Sequence, residues 1–206
     1  DKGKVRPNNE DYAESLSISW CGPLGNQIEV TALILADGMG GAAAGEFASM
    51  LAVKTVKENV VRNLFEKQPE DLLNADKTIF LDEWFQKANK AIYQKACENP
   101  DMEGMGTTIV GGLIYRNGLA LAHVGDSRAY LFRDHKLEMI TTDQTWVAEV
   151  GRPLGISEDD LRNHPLRHVL TMALGANAPL KAQTYAVPAA PGSVFLLCTD
   201  GLHGAV

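Results

Sequence analysis

Three apolar runs in this chain each end at an aspartate. Leu33-Ile34-Leu35-Ala36 runs into Asp37-Gly38, Phe195-Leu196-Leu197-Cys198-Thr199 into Asp200-Gly201, and Leu121-Ala122-His123-Val124-Gly125 into Asp126. Runs of this length, bounded by glycine, have the pattern of buried strands, so each places a carboxylate where a strand leaves the core. Asp-Gly is also a common turn dipeptide after a strand, and one instance carries little weight. Three instances carry more. Carboxylates gathered at one sheet edge repel, and such a gathering persists where it shares protons or binds cations.

The segments between those runs set the fold class. Residues 12–20 alternate polar and apolar side chains, and the Gly- and Pro-containing stretch that follows leads into the apolar strand at 29–36, which predicts a hairpin. Phe47, Met50, Val53, Val56, Val60 and Leu64 recur at three- and four-residue steps and predict a long amphipathic helix. Leu81, Trp84, Ala88, Ile92 and Ala96 predict a second, which Pro100 cannot continue. Residues 107–141 read as an antiparallel meander. Asn117-Gly118 supplies one hairpin signal and Arg133-Asp134-His135 another. Two helices followed by consecutive hairpins point to an α+β layered fold rather than a doubly wound nucleotide-binding sheet. Gly151, Pro153, Gly155 and Pro165 break the next stretch, and residues 144–168 are expected to form a surface flap with few apolar anchors.

Composition narrows the function classes. With 206 residues, 45% hydrophobic and 22% charged, the chain suits one compact domain. A net charge of −7 with no block of Lys or Arg argues against nucleic acid or an anionic membrane as partner. Cys21, Cys97 and Cys198 are an odd, widely spaced set, read as structural thiols in a reducing compartment. No stretch approaches the roughly 20 apolar residues of a membrane helix. The charged start is unlike a secretory signal, so a cytoplasmic protein without membrane insertion is expected.

Five short motifs then carry a resemblance. Arg6-Pro7-Asn8-Asn9-Glu10-Asp11, Ala36-Asp37-Gly38-Met39-Gly40-Gly41, Met105-Gly106-Thr107-Thr108, Val124-Gly125-Asp126-Ser127-Arg128 and Thr199-Asp200-Gly201-Leu202 resemble, in order, the motifs of the metal-dependent protein phosphatases of type 2C, the PPM family. Met39 stands where many eukaryotic members carry a histidine, which makes the chain look bacterial. The resemblance implies a four-layer α-β-β-α sandwich with two central, mostly antiparallel sheets and metals at one edge. It also implies a serine/threonine phosphatase acting on phosphorylated proteins, with a cognate protein kinase as a further partner. By the same resemblance Asp11, Asp37 and Asp200, with the Gly38 carbonyl, hold two ions of Mn²⁺ or Mg²⁺, and Asp126 matches the position of a third, weaker ion. The chemistry agrees: phosphate monoester hydrolysis needs an oxygen nucleophile and charge compensation, which a pair of oxygen-ligated divalent ions supplies.

Arg6 is the candidate for the substrate phosphate, because a guanidinium donates two parallel hydrogen bonds to phosphoryl oxygens. Glu10 is either a water-mediated ligand or a solvated neighbour. His123, on an apolar strand, reads as a hydrogen-bonded core histidine. His164 and His168, in the flap, are the candidates for an acid that protonates the leaving oxygen. Members of the family continue beyond the Asp200-Gly201 strand to a further aspartate-bearing motif, so the domain is expected to be incomplete at its C-terminus. Two other readings stay open at this point: a catalytically impaired pseudophosphatase serving as a phosphoprotein-binding or regulatory module, and an enzyme acting on a small phosphorylated metabolite.

Overall fold

The structure, a computed structural model, describes Lys4 and residues 8–21, 27–66, 76–116, 118–176 and 179–205. The predicted first hairpin is present: β1 (Asp11–Cys21) and β2 (Gln27–Met39) pair antiparallel from Asp11↔Asp37 to Cys21↔Gln27. Along β2, Val30, Ala32, Ile34 and Ala36 are buried in one core and Leu35 packs into another, so the strand is apolar on both faces. That double coverage is why its C-terminal half reads as a continuous apolar run rather than an alternation.

Two long helices cover one face. In α1 (Ala42–Glu66) the buried residues include Ala44, Ala48, Ala52, Val56, Val60 and Leu64, a four-residue ladder whose small N-terminal members let the helix lie close to β2. Met50, expected on the apolar face, is instead exposed, because it falls between the rows of this ladder. α2 (Lys77–Glu98) starts at Asp76, whose side chain accepts from the Thr78 amide at 3.0 Å. It buries Leu81, Trp84, Phe85, Ala88 and Ile92. Met102 ends the short 3₁₀ turn beyond it, and Met105 is fully buried.

β3 (Gly106–Thr107) pairs with the end of β2, and β4 (Ile109–Tyr115) and β5 (Gly118–Val124) continue the same sheet. The pair Tyr115↔Gly118 makes residues 116–117 the hairpin loop, so Gly118 already belongs to the strand, and position 117 lies outside the described residues. The predicted single meander is corrected here. β6 (Arg128–Arg133) and β7 (Lys136–Met139) form a second sheet, and the chain changes sheets at Gly125-Asp126-Ser127. Gly125 has φ 102°, and a Cβ there would meet the Thr108 side chain at 2.7 Å, so only glycine fits the switch. The β6–β7 turn has φ 52° at Asp134 and 59° at His135, two left-handed residues as a tight hairpin demands.

β8 (Gln183–Pro188) completes the larger sheet, in the order β1-β2-β4-β5-β8 with β3 beside β2. β9 (Val194–Cys198) completes the smaller, β7-β6-β9. Val110, Leu119, Leu121 and Ala129 are the buried centre of the core between the sheets, with Phe195 and Leu197 packed against it. The described residues therefore supply a helical layer and two antiparallel sheets of an α+β sandwich. On the outer face of the smaller sheet Phe132, Leu137, Met139, Val194 and Leu196 are exposed.

Residues 146–169 leave and rejoin this body between Thr145 and Leu170, which form a β-bridge. The expectation of few apolar anchors is corrected. Leu161, in α3 (Glu158–Arg162), is 2% exposed and packs against Gly151, as does the Trp146 ring, so the excursion has a small core of its own. All three cysteines are free; Cys198 is buried, while Cys21 and Cys97 are exposed. Among the described residues no helix is long and apolar enough to cross a membrane.

Candidate active site

The register of the first hairpin puts Asp11 directly opposite Asp37, so one strand pair delivers two carboxylates to the same sheet edge. Asp37 is then locked by its neighbours. Its carbonyl accepts from the Thr107 hydroxyl at 2.8 Å and the Thr108 amide at 2.9 Å, and its own amide donates to Thr108 Oγ1 at 3.3 Å. The Gly38 amide donates to the Glu10 carbonyl at 3.1 Å, and Ser49 of α1 donates to that same carbonyl at 2.6 Å. Any Cβ at Gly38 would strike the backbone of Gly45, so the first turn of α1 abuts the Asp37-Gly38 bend.

The other two carboxylates come from the second sheet. Asp126 sits in the switch between the sheets, and Asp200 opens α4 (Asp200–His203) directly after β9. Thr199 donates from Oγ1 to Asp11 Oδ2 at 3.4 Å, and His203 Nε2 lies 3.1 Å from the Asp126 main-chain oxygen. Asp37, Gly38, Asp126 and Asp200 line one cleft of about 490 Å³, together with Thr108 and His168. Asp11 stands opposite Asp37 on the neighbouring strand.

Burial and mutual repulsion act on these groups. Burial is the main cause that lifts Asp37 to about 8, with the charges of Asp11, Asp200 and Asp126 adding to it. Asp126 is raised chiefly by burial, then by Asp200 and Asp143, and is eased by His203. Asp11 is raised, again by burial first. Asp143 is not on the lining of the cleft and is bound by Arg128 through two hydrogen bonds of 2.9 and 2.7 Å.

Among the described residues, no lysine or arginine lines the cleft. A half-buried, all-oxygen donor set of this kind fits a hard divalent cation such as Mg²⁺ or Mn²⁺. Among the described residues no three acidic, histidine or cysteine side chains close on one ion-sized point. The carboxylates are instead spread around the cleft, an arrangement suited to ions that keep several waters.

The two flap histidines part company. His168 lines the cleft, whereas His164 stacks on Trp146 with ring centroids 4.2 Å apart and accepts from the Leu166 amide through Nδ1. Arg6 lies outside the described residues. His123 is fully buried in the core, where burial pushes it down to about 4. The predicted hydrogen bond at that residue is not formed with good geometry at either ring nitrogen; Gln183 stands opposite it across β5 and β8. Sequence reasoning assigned no role to Thr107, Thr108 or His203. Thr107 and Thr108 lay within a quoted motif, but their contacts with Asp37 span 70 and 71 residues. His203 is three residues after Asp200, a spacing that acquires meaning only once those residues form a helical turn.

Known proteins resemble this chain in sequence and fold. The family model for protein phosphatase 2C matches residues 24–206. The serine/threonine phosphatase of Listeria monocytogenes is 35% identical over 207 residues, covering 100% of this chain and 77% of that protein. The crystal structure of the Mycobacterium tuberculosis serine/threonine phosphatase is similar with a TM-score of 0.79 at 35% identity, over 100% of this chain and 78% of that one. The catalytic domain of the serine/threonine protein phosphatase PstP, solved with two manganese ions, gives a TM-score of 0.76 at 33% identity over 100% and 77%. The chain belongs to the protein phosphatase 2C family, alongside the bacterial serine/threonine phosphatases.

Proposed function

We propose that this chain hydrolyses phosphoserine and phosphothreonine in proteins by direct attack of water, without a phospho-enzyme, using Mn²⁺ or Mg²⁺. The observation that carries the reading is the gathering of Asp37, Asp126 and Asp200, from both sheets, on one cleft, with Asp11 set opposite Asp37 in the β1–β2 register. Bound there, divalent ions supply a water activated near neutral pH and compensation for charge on the phosphoryl oxygens. Asp11, Asp37, Asp200 and the Gly38 carbonyl hold an inner pair of ions, and Asp126 with Asp200 holds a third. Thr107 and Thr108 keep the Asp37 main chain from yielding to the repulsion among the carboxylates. Arg6 clamps the substrate phosphate, and His168 donates a proton to the departing serine or threonine oxygen. Phosphorylated proteins and the kinase that modifies them are the partners, in the cytoplasm.

The test is turnover of a phosphothreonine peptide in Mn²⁺, in Mg²⁺ and in excess chelator. Activity with either metal and none in chelator is expected. Full activity in chelator, or a phospho-enzyme trapped on acid quench, would overturn the reading in favour of a protein nucleophile.

A further inference from the structure

Asp126 and Asp200 lie at the mouth of a fork. The β6–β9 ladder ends with the pair Arg128↔Cys198, and in this antiparallel register the next positions outward, 127 with 199 and 126 with 200, would face each other. They are not paired, so both carboxylates stand where the two chains are free to splay. Like charges placed opposite one another push such a fork open.

The turn that bears Asp126 is anchored residue by residue. The Gly125 amide donates to Gln144 Oε1 at 2.9 Å, and its carbonyl accepts from the Gln144 amide at 2.7 Å. The Ser127 hydroxyl meets Thr108 Oγ1 at 2.7 Å. Both anchors lie on the side of β4 and the base of the 144–168 segment. The Asp126 carbonyl is anchored on the opposite side, to His203 Nε2 at 3.1 Å, and His203 shares a single helical turn with Asp200. A main-chain carbonyl can only accept, so Nε2 is the donor.

We infer that His203 is a positioning residue of the outer metal site: its bond to the Asp126 carbonyl straps the β5–β6 turn to α4 and fixes the separation of the Asp126 and Asp200 carboxylates. The inference rests on the reading of those two aspartates as metal ligands. It assigns His203 no contact with substrate. It bears chiefly on the outer site: Asp11 and Asp37 of the inner pair are set by the β1–β2 register, the shared Asp200 follows directly on β9, and Asp126 is the ligand whose turn the strap holds.

The experiment counts Mn²⁺ ions bound by the purified chain and measures their affinities, by calorimetry and by the electron paramagnetic resonance of free Mn²⁺, for the native protein, His203→Ala and His203→Gln. His203→Ala is expected to weaken the weakest class of ion about 10- to 100-fold, the usual cost of losing a group that orients a ligand. The tighter class stays within about twofold. His203→Gln, whose side-chain N–H reaches the same carbonyl, is expected to restore most of the loss. Native-like binding in His203→Ala overturns the inference, as does an equal loss in all ion classes, which would signal general misfolding. Failure of the Gln variant to rescue also overturns it. A native chain that binds no Mn²⁺ at all instead overturns the reading of the aspartates themselves.

Discussion

Asp37 concentrates more of the chemistry than any other residue. It is partly exposed to the cleft, buried enough to be raised to about 8, and tied through its main chain to two threonines from the next strands. Replacing it by Asn keeps the size and removes the charge that a cation requires. Asp37→Asn and Asp200→Asn are each expected to lower kcat on a phosphopeptide by orders of magnitude with little change in fold, as judged by circular dichroism. Near-native kinetics in either would mean the ions are held elsewhere. His168 permits a sharper comparison, because an acid matters only for a poor leaving group. His168→Gln is expected to lose about 10²-fold or more on phosphoserine peptides and little on an aryl phosphate, whose phenolate leaves unaided. An equal loss on both substrates would assign His168 to binding instead.

At the level of elements, the site depends on how closely α1 approaches β2. Gly45 lies in the first turn of α1, and a Cβ there would come within 2.6 Å of Glu10 Oε2 and 3.0 Å of the Gly38 carbonyl carbon. Two effects oppose each other in Gly45→Ala. Helix propensity favours alanine by about 1 kcal/mol, whereas forcing a methyl group against backbone costs roughly 1–3 kcal/mol. The contact at Gly38 is backbone and cannot swing aside, so net destabilisation is expected in urea titrations, together with weaker Mn²⁺ binding. A more stable variant would show that α1 is free to slide along β2. The 144–168 segment shows the reverse relation of sequence to element. Its glycines and prolines read as loose structure, yet Leu161, Gly151 and Trp146 close on one another across 15 residues. Contacts of that kind have no period for a sequence pattern to reveal.

For the whole molecule, the clustered carboxylates make metal binding and stability one question. Folded Asp37 holds its proton up to about 8, whereas in the unfolded chain it is lost near 3.8, so the folded state binds more protons throughout that window. Its contribution to stability therefore falls as pH rises from about 4 to 8, the opposite of the usual salt-bridged aspartate. The metal-free chain is expected to melt at progressively lower temperature relative to the Mn²⁺-loaded chain as pH is raised from 5 to 8. A gap between the two melting curves that did not widen with pH would contradict this. On the acid side His123 acts. Its folded value of about 4 against an unfolded value of 6.5 withdraws stability as pH falls between them.

Local sequence determined the strands other than β3 and β8, both long helices and the placing of Asp37, Asp126 and Asp200 at or near strand ends, since these follow from periodicity and turn chemistry within a dozen residues. The hairpin register that sets Asp11 against Asp37 is nearly local as well. Tertiary structure alone decided the rest. It split the apparent meander between two sheets at Gly125, which is what carries Asp126 to the second sheet's edge beside Asp200. It turned His168 toward the cleft and His164 onto Trp146, although the two are four residues apart in one irregular segment. It also brought His203 to Asp126 across 77 residues. The physical reason is common to all three: burial and repulsion are properties of groups close in space, and a sequence pattern reports only the surroundings that a residue's own element imposes.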